Sequence, residues 1–173
     1  MDFIDSVIMT RASVRSFTGA GIPRETLLRI AKAGMAAPSA TDVRPWALMI
    51  VSDRPKLDAL NACLPYAKML DKAAAAFVVC GDPHKDENVA PRFWTVDCAA
   101  MTENILLATH SLGLGAVWTA VYPDEARMEG VRGILGIPPR IMPFNVIPVG
   151  HIAGEAPAPK DKYDPAALRF NSW

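Results

Sequence analysis

Residues 95–112 form the longest helix candidate in this chain, and apolar side chains go nearly all the way round the predicted helix. A helix without a polar face must be buried on most of its sides. The chain has 173 residues, enough for one domain with a substantial core, and 51% of them are hydrophobic. That share is high for a monomer of this size, so we predict that residues 95–112 pack at a subunit interface. The apolar positions are Val96, Ala99, Ala100, Met101, Ile105, Leu106, Leu107, Ala108 and Leu112.

Prolines, glycines and apolar periodicity divide the rest of the chain into helices and strands. Prolines open three of the predicted helices at the first turn, where a missing N–H is tolerated. No repeat, low-complexity segment or linker is visible, so residues 1–173 are expected to form a single domain. The other predicted helices are residues 3–10, one from Pro23 to between Gly34 and Pro38, 55–63, and one from Pro123 that stops before Gly136; the predicted strands are 47–52, 77–80, 116–120 and 146–152.

Charge and composition give little support to several classes of function. The 18 basic and 18 acidic side chains cancel and no Lys/Arg-rich run is present, which argues against a nucleic-acid partner. The first residues lack the basic and apolar segments of a signal peptide, and no apolar run reaches the roughly 18 residues of a membrane span. The histidines and cysteines show no metal spacing. Cys63, Cys80 and Cys98 are expected to be buried thiols in a reducing cytoplasm.

Two short stretches carry the pattern of a ligand site. Residues 38–46 contain two prolines and small polar side chains, which cannot continue the preceding helix, and they lead into an apolar strand. An ordered loop at the end of an element is a common place for ligands. In residues 11–15, Arg11, Ser13 and Arg15 alternate, so an extended backbone would direct all three side chains towards one anionic ligand.

These two stretches resemble the motifs of the FMN-dependent nitroreductase family, which read roughly Arg-x-Ser-x-Arg/Lys and Pro-Ser-x-x-Asn-x-Gln-Pro-Trp. The resemblance continues through residues 103–108, 113–118 and 160–162, in the expected order along nearly the whole chain. Several motifs in register argue against a chance match. The glycines of residues 113–118 do not form a dinucleotide fingerprint, because a third glycine is missing and the segment follows a helix rather than a strand.

The resemblance implies an α+β fold with a mixed central sheet flanked by helices, FMN as the cofactor, and NADH or NADPH as the electron donor. It implies the reduction of small organic acceptors, such as nitroaromatics or quinones, in a ping-pong scheme with hydride transfer through flavin N5. Because the chemistry belongs to the flavin, no catalytic acid–base pair is expected. The family builds its sites at a homodimer interface, and residues 154–173 are expected to wrap around the partner subunit.

The same resemblance assigns cofactor-binding roles to residues that match the family motifs. Arg11, Lys160 and Lys162 would bind the flavin phosphate, and Ser13 the ribityl or phosphate end. Arg15 would lie near N1 and the C2 oxygen, where a cation favours the reduced flavin and raises its potential. The full predicted set is Arg11, Ser13, Arg15, Pro38, Ser39, Asp42, Gly115, Ala116, Lys160 and Lys162.

Two positions within residues 38–46 depart from the family motif. Asp42 stands where asparagine is usual, and Arg44 where glutamine is usual. An ionised aspartate can only accept hydrogen bonds, which leaves Arg44, a flavin N–H or a ribityl hydroxyl as its partners. Two alternatives stay open, and these departures support the first of them. One is a flavin-binding sensor or storage protein without turnover, and the other is a specialised relative that destroys flavin or removes halogen.

Overall fold

The computed structural model describes residues 2–173 and shows a five-stranded sheet with helices packed on both of its faces. No helix in this part of the chain is both long enough and apolar enough to cross a membrane. The helices are α1 (Arg24–Met35), α2 (Arg54–Cys63), α3 (Ala90–Ser111) and α4 (Glu125–Leu135), and the strands are β1 (Trp46–Val51), β2 (Ala75–Gly81), β3 (Gly115–Ala116), β4 (Thr119–Ala120) and β5 (Met142–Gly150). Shorter helical turns lie at Ile4–Ile8, Ala40–Asp42, Lys68–Asp71 and Pro165–Ala167.

The strand order is β1-β2-β5-β3, and β4 pairs with β5 beyond the end of β3. The predicted α+β class is confirmed. The expectation of a mixed sheet, which came from the resemblance, is wrong for one chain. Every strand pairing within residues 2–173 is antiparallel. Strand β1 lies at the edge of the sheet, with β2 as its neighbour on one side.

Strand β2 separates two hydrophobic cores, because successive side chains of a strand point to opposite faces of the sheet. Val78 belongs to the core that contains Leu60 of α2 and Val131 of α4. Phe77 belongs to the other core, which contains Ile30 of α1 and Ile105 of α3. All residues of β2 are buried, as expected from its continuous apolar sequence. The two ends of the sheet therefore remain as the places where polar side chains can gather.

Helix boundaries follow from local chemistry at the ends. Asp53 and Asp124 each accept a hydrogen bond from a backbone N–H in the first turn of α2 and α4, at 3.1 and 3.0 Å. Gly136 ends α4 in the left-handed conformation, with φ of 67°. Helix α3 begins at Ala90, earlier than the predicted start at residue 95, because Pro91 fits into its first turn instead of ending it.

Three other elements also differ from their predicted bounds. Strand β5 begins at Met142 rather than at residue 146, because Pro143 lies at a register irregularity opposite Cys80, where its missing N–H is tolerated. The predicted strand at residues 116–120 is split into the short strands β3 and β4. The predicted N-terminal helix is a single π-helical segment, Ile4–Ile8.

Helix α3 is not covered completely within one chain. Its inner face is buried through residues such as Met101, but Val96 is 61% exposed. The neighbouring N-terminal turn also leaves Met9 59% exposed. Residues 155–173 are exposed throughout, and Trp173 keeps 99% of its surface accessible. One chain therefore presents a large apolar surface and an aromatic tail that it does not itself bury.

Candidate functional site

Residues 11–18 run as an extended strap across one end of the sheet. The Val14 N–H donates to the Ala116 carbonyl oxygen at 3.0 Å, and the far end of the strap exchanges hydrogen bonds of 3.0 Å with the residues that follow β5. Val14 points inward and is buried, whereas Ser13 is half-buried and Arg15 is exposed. The backbone of the strap is thus fixed by the sheet, and its polar side chains are left at the surface.

Two glycines allow the strap to lie this close to the sheet. A Cβ on Gly115 would lie 2.6 Å from Cγ1 of Val14, and a Cβ on Gly150 would lie 2.8 Å from the ring of Phe17. Real Cβ contacts are not that short, so both positions require glycine unless the strap moves. Gly115 and Ala116, which the motif suggests as cofactor contacts, are both buried under the strap. Their small size serves the seating of Val14, and a contact with flavin stays a prediction.

A cavity of about 280 Å³ lies between the strap and the first part of the tail. Its lining comes from the two ends of the chain, which the family resemblance assigns to one phosphate site. Five of the predicted site residues are among its lining side chains. The cavity is lined by Arg11, Ala12, Ser13, Arg15, Pro157, Ala158, Lys160 and Lys162.

Positive charge dominates this cavity. Arg11 is paired with Glu103 of α3 at 3.8 Å, and the carboxylate is half exposed. Among residues 2–173, no ion pair involves Arg15, Lys160 or Lys162. Four cationic side chains around one small space repel each other and attract an anion. A phosphate group, with close to two negative charges and three acceptor oxygens, suits this set of donors.

Arg15 also borders a second, larger cavity of about 490 Å³. This cavity is lined by residues 117–120 and by Tyr66, whose ring lies 5.3 Å from the guanidinium of Arg127. The charged cavity by itself is at the small end of the roughly 300–1,000 Å³ that organic ligands occupy. A larger ligand anchored by its phosphate would therefore extend past Arg15 towards the second cavity.

Residues 38–44 form a separate surface and do not line the charged cavity of their own chain. The hydroxyl of Ser39 accepts a hydrogen bond from the Arg44 backbone N–H at 2.9 Å. Asp42 forms a bidentate pair with the Arg44 guanidinium, with 2.7 Å between Nε and Oδ1. That hydrogen bond, with a smaller contribution from the charge of Arg44, lowers the pKa of Asp42. The two residues that depart from the family motif thus pair with each other, and flavin contacts of Pro38, Ser39 and Asp42 stay predictions.

Asp97 and Tyr66 are not among the residues that the motifs predict. Asp97 lies on α3 with 4% of its surface exposed, and its Oδ1 accepts a hydrogen bond from the Ala40 N–H at 3.0 Å. Its Oδ2 is buried and has no hydrogen-bond partner among residues 2–173. The helix is predicted to have no polar face, so its two carboxylates, Asp97 and Glu103, are the only sequence signal, and they do not by themselves single out Asp97. Tyr66 carries no comparable signal.

The cysteines are placed for packing. Cys80 and Cys98 are buried as predicted, and Cys63 is half-buried. Burial raises the pKa of the Cys80 thiol to about 12 and also raises that of Cys98, so both remain protonated and unreactive near neutral pH. Within the described part of the chain, no group of three or more His, Cys, Asp or Glu side chains is arranged to hold a metal ion.

His110 of α3 supports the turn that precedes the strap. The Thr10 hydroxyl donates to the Ser6 carbonyl oxygen at 2.7 Å, so it accepts from Nε2–H of His110 at 2.8 Å. Partial burial lowers the pKa of His110, and the nearby charge of Arg11 lowers it further. The neutral imidazole is therefore the form that the folded chain prefers.

The chain thus combines a basic cavity at the end of a sheet with helices on both faces of that sheet. Comparison with known proteins identifies the family. A profile described as the nitroreductase family matches residues 8–64 and 52–151. The chain belongs to this family, and the resemblance seen in the sequence motifs is confirmed.

Similar proteins agree along the full length of the chain. A candidate NADH dehydrogenase/NAD(P)H nitroreductase of Methanothermobacter thermautotrophicus is 42% identical over 100% of this chain and 88% of its own length. A crystal structure of a protein with the same description from Bacteroides thetaiotaomicron has a TM-score of 0.91 and 47% identity, covering 99% of this chain and 98% of that one. An FMN-dependent nitroreductase from Clostridium difficile has a TM-score of 0.88 and 26% identity, covering 98% and 99%.

Replacing His110 with glutamine, which keeps an N–H donor for Thr10, should change how stability depends on pH. Because the folded state lowers the pKa of His110 below the usual 6.5, its contribution is fully present above pH 6.5 and is lost as the pH falls from there through the lowered pKa of the folded state. The free energy of unfolding in urea should be measured above pH 6.5 and again well below it. Between these two conditions it should fall less in His110→Gln than in the unchanged chain. His84→Gln, at an exposed position, is the control and should lose as much as the unchanged chain; equal losses in all three would contradict this assignment.

Proposed function

We propose that this member of the nitroreductase family is an FMN-dependent oxidoreductase that uses NADH or NADPH to reduce small organic acceptors such as nitroaromatics and quinones. The observation that carries the proposal is the single cavity surrounded by Arg11, Ser13, Arg15, Lys160 and Lys162. The FMN dependence of a relative that matches nearly the whole chain supports the same cofactor here. The proposed location is the cytoplasm.

The donor set in the cavity fits the phosphate end of FMN. Arg11 is half-buried, and its Nε lies 3.8 Å from a Glu103 carboxylate oxygen, beyond hydrogen-bond distance, so its guanidinium can offer a bidentate contact to a phosphate. Lys160 and Lys162 add two further charges from the tail, and Ser13 adds a hydroxyl that can donate or accept. FMN, when bound, supplies the two-electron chemistry by accepting hydride from reduced nicotinamide and giving it to the acceptor.

Arg15 has a different position from the other cations, because it borders both the charged cavity and the larger one. A cation at this boundary stabilises negative charge on the reduced ring system and so favours reduction. Tyr66 and residues 117–120 line the larger space, which gives room for a flat aromatic or quinoid molecule. The chain's own tasks are thus to bind the phosphate, to tune the ring and to leave space beside it.

The second part of the proposal is that residues 1–173 form a single FMN-binding domain that works as a homodimer. The exposed part of α3, the exposed tail and the free edge of β1 are surfaces that a second copy would cover. A loop from the partner would also bring Ser39 to the cavity, which it does not reach in its own chain. Sedimentation should show a dimer, and truncation after Gly154 should weaken both dimerisation and FMN binding; a folded, stable monomer at micromolar concentration would refute the dimer.

Replacing Lys160 and Lys162 together with alanine should weaken FMN binding by roughly 10- to 100-fold, the effect of about one to two charge-assisted hydrogen bonds that solvent partly screens. Riboflavin lacks the phosphate, so its affinity should change little. Titration of the FMN-free protein by flavin fluorescence measures both affinities. Lys56 and Lys85 are exposed lysines outside the cavity, and their double alanine variant is the matched control. Equal losses for the two flavins would show that the tail lysines act on folding instead.

Replacing Arg15 with glutamine should lower the two-electron potential of bound FMN by roughly 20–60 mV, since about 30 mV corresponds to 1.4 kcal/mol and an exposed charge contributes on the order of 1–3 kcal/mol. Reduction by NAD(P)H should become slower for the same reason. Photoreduction against a reference dye, with FMN saturating, measures the potential.

Arg11→Gln is the matched control for Arg15→Gln, because Arg11 lines only the charged cavity. It should weaken FMN binding and leave the potential nearly unchanged. An unchanged potential in Arg15→Gln would mean that Arg15 holds the flavin without tuning it.

A further inference from the structure

The loop that carries Ser39 has a disfavoured backbone. Thr41, Asp42 and Arg44 adopt positive φ angles of 48°, 58° and 51°. Side chains with a Cβ seldom occupy this left-handed region, and a β-branched residue such as threonine does so least of all. Strained backbone of this kind persists only where surrounding contacts hold it, and it concentrates at functional sites.

Most contacts that hold this loop lie within the loop itself. The Ser39 hydroxyl accepts from the Arg44 N–H, the Asp42 N–H donates to the Ser39 carbonyl oxygen at 3.0 Å, and Asp42 pairs with the Arg44 guanidinium. These contacts fix the conformation of the loop but not its position relative to the rest of the molecule. At its far end the loop is tied to the sheet by Pro45, whose carbonyl oxygen accepts from the Asp82 N–H at 2.6 Å.

The near end of the loop is tied to the molecule by Asp97 of α3. The Ala40 N–H donates to Asp97 Oδ1 at 3.0 Å, across 57 positions of sequence. Asp97 is buried, and its Oδ2 has no partner within residues 2–173. A buried carboxylate with one free oxygen is unfavourable for stability. The one hydrogen bond that this carboxylate makes, to Ala40, points to a role in placing the loop.

We propose that Asp97 is a positioning residue for flavin binding, and this inference rests on the proposed function. Acting through Ala40, it fixes the loop so that Ser39 and its neighbours meet the flavin with their backbone already in the binding conformation. Preorganisation of this kind raises affinity, because the free-energy cost of ordering the loop is not then subtracted from the free energy of binding. This role requires one acceptor oxygen and no charge. Asp97 therefore differs from the cations of the charged cavity, which act through their charge.

Three variants test the contact from both sides. Asp97→Ala removes the acceptor, Asp97→Asn keeps it, and Ala40→Pro removes the donor. Proline is suited to position 40 because Ser39 already has the extended backbone, φ −138° and ψ 156°, that a residue before proline requires. Proline is also tolerated at the first position of a helical turn.

Titration of each FMN-free protein with FMN and with riboflavin is the measurement. Asp97→Ala and Ala40→Pro should each weaken the binding of both flavins by the same factor, roughly 10-fold, the upper effect of one hydrogen bond. Asp97→Asn should stay within a factor of about three of the unchanged chain. The double variant Asp97→Ala/Ala40→Pro should bind flavin as tightly as whichever single variant has the lower affinity. Both changes remove the same hydrogen bond, so their effects should not add.

Thr102→Val is the matched control for damage to the α3 core. Thr102 is fully buried and accepts a hydrogen bond from Asn145 at 2.8 Å, so its loss destabilises the helix packing without touching the loop. Its flavin affinity should equal that of the unchanged chain. Flavin affinities that are unaltered in folded Asp97→Ala, or altered equally in Thr102→Val, would overturn the positioning role.

Hydrogen exchange of the FMN-free protein distinguishes this inference from the proposed function. The amides of residues 40–44 should exchange faster in Asp97→Ala, and the amides of the same residues should be unchanged in Thr102→Val. If the unchanged chain binds no flavin, the proposed function fails, and exchange still decides whether Asp97 fixes the loop. Exchange that is equal in Asp97→Ala and the unchanged chain would overturn the inference even if FMN binds.

Discussion

The seating of Val14 on β3 is the contact on which the site depends. It requires glycine at position 115 and fixes the strap by a backbone hydrogen bond to Ala116. Only with the strap in place do Arg11 and Arg15 meet the tail lysines around one cavity. The resulting concentration of positive charge is unfavourable for the folded chain alone and becomes favourable when an anion is bound. Packing at the end of the sheet thereby gathers the positive charge on which the proposed phosphate site rests.

Much of the fold could be predicted from local patterns. The continuous apolar sequence of β2 predicts a strand buried on both faces, and prolines and glycines mark most helix ends. The alternation of Arg11, Ser13 and Arg15 predicts their common direction because a strand repeats every two residues. The family, identified from several motifs in order, is confirmed by the profile match.

The remaining features depend on distance in space or on backbone strain, which local patterns do not report. No local pattern brings Lys160 to Arg11; the family resemblance assigns both to one phosphate, and in the fold the strap and the tail line one cavity. The positive φ of Thr41 could not be predicted from the sequence, because threonine normally avoids the left-handed region. The hydrogen bond from Ala40 to Asp97 joins two segments that are distant in the sequence. The only sequence signal for it is a carboxylate in a largely apolar helix. Gly115 is conspicuous in the sequence, but its reason is the side chain of Val14.

Anaerobic titration of the FMN-loaded protein tests the central claim most directly. Addition of NADH or NADPH should bleach the visible absorbance of the bound flavin, and subsequent addition of a quinone should restore it. This result would show that the protein passes electrons from a nicotinamide donor through bound flavin to a quinone. A protein that takes up FMN but keeps it oxidised in the presence of both nicotinamides would be a flavin store, and one that takes up no FMN would contradict the assignment of the cavity.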